Sequence, residues 1–204
     1  MNTSERTRSL VLTAVLTAII IMMAFTNIGY INLVIIKATL IHVPVIIGSV
    51  TLGPKKGAFL GFVFGLTSLI NNTFNPSLLS FAFSPFYNGG NFFSLVICFV
   101  PRILVGIVPY FVFKGVMKLG KGKRSAEYIA LPIAGAAGSF TNTLLVMNLI
   151  YVCFADLYAE VNGIAVTAVY AAILGIIAGN GIPECIVAVV LTTAIGKVLL
   201  HFKP

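Results

Sequence analysis

FFSLVICFVPRILVGIVPYFVF, residues 92–113, decides how the rest of the chain is read. It is apolar over a length able to cross a bilayer, yet Arg102 sits near its middle. A guanidinium does not deprotonate in proteins, and near a bilayer's centre it costs roughly 2.5–3.5 kcal/mol on the most lenient scale. Such a residue persists where something polar meets it, either a structural partner or a ligand. Glu184 is the one acid inside another apolar run. A fixed cation and an acid within apolar segments predict a polar cavity in a membrane protein.

Composition agrees. With 59% hydrophobic and 9% charged residues and a mean hydropathy of +1.07, the chain falls far outside the soluble range. Its 204 residues suffice for about six spans of roughly 20 residues each. The expectation is an all-α integral membrane protein forming one polytopic domain over residues 1–204, without a separate catalytic module. The net charge of +8 does not mark a nucleic-acid site. Arg6 and Arg8, then Lys55 and Lys56, then Lys114, Lys118, Lys121, Lys123 and Arg124, then Lys197 and Lys203 all fall on one side of a six-span path that starts in the cytoplasm. Asp156, Glu160 and Lys37 fall on the other. That is the positive-inside pattern, with both termini cytoplasmic. Cys98, Cys153 and Cys185 lack C-x-x-C spacing and read as small buried residues, not as a disulfide framework or metal cluster.

The first span is expected over Ser9–Phe25, too long and wrongly flanked for a removable signal peptide. TNIGYIN (26–32) then reads as an outer loop. LVIIKATLIHVP (33–44) either begins span two or forms a short extended flap before it. Span two ends at Leu52, where Gly53-Pro54 breaks the helix, and span three covers Gly57–Ile70. NNTFNPSLLSFAFSPFYNGGN (71–91) is long for a connection, with five asparagines, two prolines and five aromatic residues. Loops of this length are commonly lids or binding loops; the plainer reading is an interfacial aromatic belt. Within it, Phe74, Asn75, Phe83, Ser84 and Asn88 are candidate ligand contacts. Span four is Phe92–Phe113, interrupted by Pro101 and Pro109, and span five is Tyr128–Phe154. Ile164–Ala178 is expected as a packed or re-entrant piece, followed by span six over Ile182–Phe202.

Small residues recur four apart. Ala14 and Ala18 lie on span one, and Gly57, Gly61 and Gly65 on span three. In lipid, such rows let backbones approach closely. The glycine row reads as packing within the bundle; the alanine pair fits packing or docking to another membrane subunit equally well. Pro101 frees backbone carbonyls for the Arg102 donors, so Arg102 is either structural or ligand-contacting. Asn180 and Glu184 share a helical face near the expected start of span six, as a cap or as ligand contacts. Lys37, His42 and Asn142 are further candidates, Lys37 with a snorkelling alternative. The sequence contains no Walker A, G-x-S-x-G or H-E-x-x-H pattern. A membrane enzyme lacks a nucleophile–base pair, and an autonomous secondary carrier lacks the expected internal repeat.

The A-x-x-x-A at Ala14 and Ala18, HVPVIIGSVTLGPKKGAFLGFVFGL (42–66), FSPF (83–86), PRILVG (101–106), TNTLLV (141–146) and NGIPE (180–184) occur in an order that resembles a substrate-binding S-component of an energy-coupling factor (ECF) transporter. The HVPVIIG and FSPF stretches look most like the pantothenate-type branch; riboflavin, pyridoxine, hydroxymethylpyrimidine and folate use related scaffolds. The resemblance implies a bacterial cell-membrane subunit that is no enzyme and needs no cofactor. It would bind one water-soluble vitamin near the outer face, beneath loops after spans one, three and five. It would dock through Ala14 and Ala18 onto a transmembrane coupling subunit carrying two cytoplasmic ATPases, then topple in the membrane to release its load. Pantothenate's carboxylate would meet Arg102 or Lys37.

Overall fold

A computed structural model describes the backbone of residues 3–26, 29–33 and 36–201, and the side chains of residues 5–26, 29 and 39–201. The elements are helix α1 (Thr3–Phe25), strands β1 (Tyr30–Leu33) and β2 (Ile36–Thr39), and helices α2 (His42–Leu52), α3 (Pro54–Phe74), α4 (Phe92–Val105), α5 (Val108–Leu119), α6 (Glu127–Asn162) and α7 (Val169–His201). Among the described residues, five helical segments are long and apolar enough to cross a membrane, with α4 and α5 forming one of them. The chain is a multi-pass membrane protein.

Three expectations change. The extended-flap reading of residues 33–44 holds only in part: β2 pairs antiparallel with β1, most of which lies in TNIGYIN, Tyr30 opposite Thr39 and Leu33 opposite Ile36, while His42–Pro44 already open α2. The protein is therefore not purely helical. Span two shrinks to the 11 residues of α2, about 17 Å at helical rise, short of a hydrocarbon core of roughly 30 Å. Its burial explains why it need not be longer. His42 through Thr51 are all buried, so α2 runs inside the bundle and meets little lipid. Finally, Ile164–Ala178 is no separate re-entrant piece. A 3₁₀ turn at Val166–Ala168 leads into α7, which continues unbroken through AGNGIPE to His201. Pro183 lies inside α7, because proline in a membrane helix removes one N–H that neighbouring groups can compensate. Asn180 and Glu184 thus lie mid-helix, not at a helix start.

Gly53, at φ +93°, makes the α2–α3 turn, and Pro54 opens α3 where its missing N–H is harmless. The chain breaks between α4 and α5 at Gly106-Ile107, and α6 kinks at Phe154 (φ −141°, ψ 25°) before Gly163 ends it in the left-handed conformation. One end of the bundle collects basic residues. Lys56 Nζ donates to Ser9 Oγ, linking α1 to the start of α3. Arg124 Nε donates to His201 Nε2 at 2.6 Å, and Lys197 Nζ to the Tyr128 hydroxyl at 2.7 Å, joining α6 to the end of α7. Val50 packs with Leu131 and Leu200 at this same end.

The glycine row of α3 packs inside the bundle. A Cβ on Gly57 would strike the Gly106 carbonyl, and one on Gly106 would strike the Gly57 carbonyl. A Cβ on Gly61 would strike the Arg102 carbonyl, and Gly65 lies against Phe99 and Cys98. The Cys98 thiol donates to the Gly65 carbonyl at 3.1 Å. Backbone-to-backbone approach of α3 and α4 thus sets where Arg102 sits. On α1, Leu16, Ile20 and Ala24 face the core, whereas Ala14 and Ala18 lie on the exposed side among Leu10, Val11, Val15, Ile21 and Met22.

Gly61→Ala is expected to lower thermal stability by about 1–3 kcal/mol through overpacking. Gly115→Ala in α5, where an added Cβ meets nothing within 4 Å, should be neutral or stabilising by up to ~1 kcal/mol. Thermal melts of the detergent-solubilised variants compare the two.

Candidate functional site

Pro101 makes the first half of the site. Without an N–H it leaves the Ile97 carbonyl, four residues earlier, outside the helical ladder. Arg102 Nη1 donates to that carbonyl at 2.6 Å. Arg102 is 6% exposed, and its guanidinium carbon lies over the rings of Phe64 (5.4 Å to the centroid) and Phe83 (4.9 Å). Desolvated cation–π contacts contribute about 2 kcal/mol, which offsets much of the cost of burying the charge. Phe64 comes from α3, one turn after Gly61. Phe83 comes from the 71–91 loop.

That loop is stitched down along much of its length. A buried 3₁₀ turn, Ser80–Ala82, sits at its centre. Ser80 Oγ donates to Asn72 Oδ1 at 2.9 Å, and Ser94 Oγ donates to the Phe81 carbonyl at 2.6 Å. Ser94 also accepts from the Asn91 N–H at 3.1 Å, closing a capping box at the start of α4. Ser84 is buried and engaged with Thr73 Oγ1 at 2.7 Å and with the Phe86 N–H at 3.3 Å. Phe74 and Asn88 are exposed; Asn75 caps α3, its Nδ2 donating to Asn71 Oδ1 at 3.1 Å. Of the loop candidates, the structure brings Phe83 to Arg102 and ties Ser84 into the loop's own framework.

The second half of the site joins α2, α6, α7 and the strand hairpin. Glu184 of α7, 6% exposed, accepts from the Thr39 backbone N–H at 2.7 Å through Oε1 and from Thr143 Oγ1 at 3.2 Å through Oε2. Gly181 clears the space for Thr143: a Cβ there would lie 3.3 Å from Thr143 Cγ2. The TNTLLV and NGIPE stretches therefore meet. One turn along α6 from Asn142, Gly138 lies against Ile46, while Val50 packs with Leu131 and Ala134; α2 and α6 therefore run antiparallel, a register that directs Asn142 toward the His42 end of α2. Both are buried. Neither ring nitrogen of His42 and not Asn142 Oδ1 has a hydrogen-bond partner among the described residues; the Thr39 backbone lies near the imidazole but outside hydrogen-bonding geometry. Buried polar atoms are nearly always bonded, so this level of the bundle offers donors and acceptors to a polar guest. Asn180 is half-buried one turn from Glu184. The Lys37 side chain lies outside the described residues.

Phe64, Thr39 and Thr143 were not among the sequence candidates. Phe64 has only its spacing from Gly61 to mark it, and Thr39 acts through its backbone. Thr143 lay within a quoted motif.

The fold is a multi-pass bundle that gathers buried polar groups, among them Arg102, His42, Asn142 and Glu184, in its interior. The sequence model of the ECF transporter substrate-specific component family matches residues 8–196. The chain belongs to that family. Among curated proteins it is similar to the Pantothenic acid transporter PanT of Lactococcus lactis subsp. cremoris, 44% identical over 167 residues that cover 78% of this chain and 76% of the relative. It is also similar to the Pantothenate transporter PanT of Leuconostoc mesenteroides subsp. mesenteroides, 32% identical over 205 residues, covering 97% and 94%. The family and these relatives are transporters, not enzymes.

Phe83→Leu removes one ring from the Arg102 guanidinium and is expected to destabilise the folded protein by about 1–2 kcal/mol. Phe86→Leu, at an exposed position of the same loop, should change stability by less than ~0.5 kcal/mol. Thermal unfolding in detergent separates the two.

Proposed function

We propose that this chain is the S-component that captures pantothenate at the outer face of a bacterial cell membrane. It then hands the vitamin on through a transmembrane coupling subunit driven by two cytoplasmic ATPases. The observation that carries the reading is the buried pair His42 and Asn142, whose ring nitrogens and Oδ1 lack hydrogen-bond partners among the described residues, next in sequence to the Thr39–Glu184–Thr143 joint. Family membership supports the transport role, and the names of the two relatives support the vitamin.

Pantothenate presents a carboxylate, hydroxyls and an amide. His42, Asn142 and Asn180 supply groups that suit the hydroxyls and the amide. Arg102 supplies a permanent positive charge for the carboxylate, with Lys37 as the other basic candidate. Phe83, Ser84, Phe74, Asn75 and Asn88 belong to the loop we assign as the cover of the site. The clustering of basic residues at one end of the bundle supports a cytoplasmic location for that end and for both termini. Ala14 and Ala18 occupy an exposed, smooth stripe of α1, which suits close docking by a partner helix.

Arg102→Gln is expected to weaken pantothenate binding about 30-fold or more, since an uncompensated charge pair costs at least ~2 kcal/mol. Binding of the uncharged alcohol analogue should change less than about threefold. Equal losses for both ligands would make Arg102 structural. Ala14→Leu with Ala18→Leu should leave binding by the isolated chain intact and abolish uptake by cells that supply the coupling subunits; lost binding would mean that the stripe packs internally. Accumulation of pantothenate by proteoliposomes holding this chain alone, without ATP, would overturn the proposed role.

A further inference from the structure

We infer that Glu184 is a positioning residue, a clamp that holds the strand hairpin against α6 and α7 and thereby sets how long a bound ligand stays. The inference rests on the reading above that the ligand is held by His42 and Asn142.

The hairpin needs such a clamp. Its strands are four residues each, and an isolated two-stranded ribbon is marginally stable at best. The Leu40 N–H donates to the Gly29 carbonyl at 2.9 Å, which closes the base of the ribbon but ties it to nothing else. Thr39 ends β2, and its N–H points away to Glu184 Oε1 at 2.7 Å. The second oxygen of the same carboxylate takes the Thr143 hydroxyl of α6 at 3.2 Å. One side chain therefore joins β2, α6 and α7, and both of its oxygens are engaged by the protein. Thr39 lies three residues before His42, so the clamp holds the hairpin and also the start of α2, where the two imidazole nitrogens lack hydrogen-bond partners among the described residues. Gly181, one turn before Glu184, gives Thr143 the room to reach it.

The clamp gates arrival and departure alike. Association proceeds through states in which the hairpin is open, and departure requires the Thr39–Glu184 bond to break. A hydrogen bond to a buried carboxylate belongs to the stronger class, so its loss shortens residence and also enlarges the open fraction that admits ligand.

The test uses the full chain in detergent or nanodiscs, with two readouts: hydrogen exchange of the 36–41 segment without ligand, and association and release of radiolabelled pantothenate. In Glu184→Ala, exchange at 36–41 is expected to speed up about tenfold. Release should also be about tenfold faster, equivalent to ~1.4 kcal/mol, with association quickened to a similar degree and Kd within about threefold of the parent. Glu184→Gln keeps the volume and one acceptor for the Thr39 N–H, so its release should quicken only about threefold. Parental exchange at 36–41 in a folded Glu184→Ala protein overturns the clamp. So does a Gln variant that loses as much as the Ala variant with no change in unliganded exchange, because that pattern marks a direct ligand contact. If the Ala variant does not fold, parental exchange and release in the Gln variant overturn the inference equally. If pantothenate does not bind the parent, the vitamin assignment fails, and exchange in the unliganded protein still decides the clamp.

Discussion

A permanent charge held inside an apolar bundle organises much of this structure. Arg102 cannot neutralise itself, so the fold must bring polar and polarisable groups to it. The first comes from its own neighbour: Pro101 withholds an N–H, and the Ile97 carbonyl left over accepts from the guanidinium. The others are the rings of Phe64 and Phe83, drawn from two different segments. Meeting these needs ties the backbone approach of α3 to α4, through Gly61, to the course of the 71–91 loop, through Phe83. The loop is anchored by Ser80, Ser84 and Ser94. A segment that reads as a lid is in part a buttress for the arginine: residues 80–84 pack inward, whereas residues 74–78, Phe86 and Asn88 remain exposed.

The acid follows a different logic. Glu184 serves a joint between the strand hairpin and two helices that are neighbours along their length. Arg102 and Glu184 can both be read from the sequence as intramembrane charges in search of partners, and pairing them with each other is the simplest solution. The bundle gives each its own partners, a helix carbonyl and aromatic rings for the cation, a strand N–H and a threonine hydroxyl for the anion. A charge satisfied by short neutral dipoles can sit close to an irregular backbone, and irregular backbone at membrane depth is tolerated where it is buried in protein or lines a cavity.

Much of the fold was legible because membrane helices announce themselves. The apolar runs over α1, α3, α4–α5 and α6 fall where hydropathy puts them, and Gly53-Pro54, Pro109 at the start of α5 and Phe154 mark breaks or kinks, whereas α4 runs through Pro101 without interruption. Two segments were harder. Residues 33–44 are apolar and β-branched, a composition shared by a buried strand and a buried helix, so periodicity could not choose between them. AGNGIPE looks like a helix breaker by local propensity. Gly181 instead serves helix packing, and Pro183 is carried within α7; local preference yields to tertiary contacts. For the site, the rare polar residues in apolar runs, Arg102, Glu184, His42 and Asn142, could be named from sequence because each is costly there. Thr39 could not, since a backbone N–H has no sequence signature.

The sequence alone determined that the chain crosses a membrane several times, which basic residues share one side, and that a cation and an acid stand in its apolar interior. Those conclusions depend on composition and order, which burial cannot alter. Only tertiary structure decided what each charge meets. Whether Glu184 faces Arg102, a ligand or a strand end is a matter of which helices approach and at what register. That register follows from close contacts at glycines, Gly57 against the Gly106 backbone, Gly138 against the Ile46 side chain and Gly181 beside the Thr143 side chain, whose partners lie tens of residues apart along the chain.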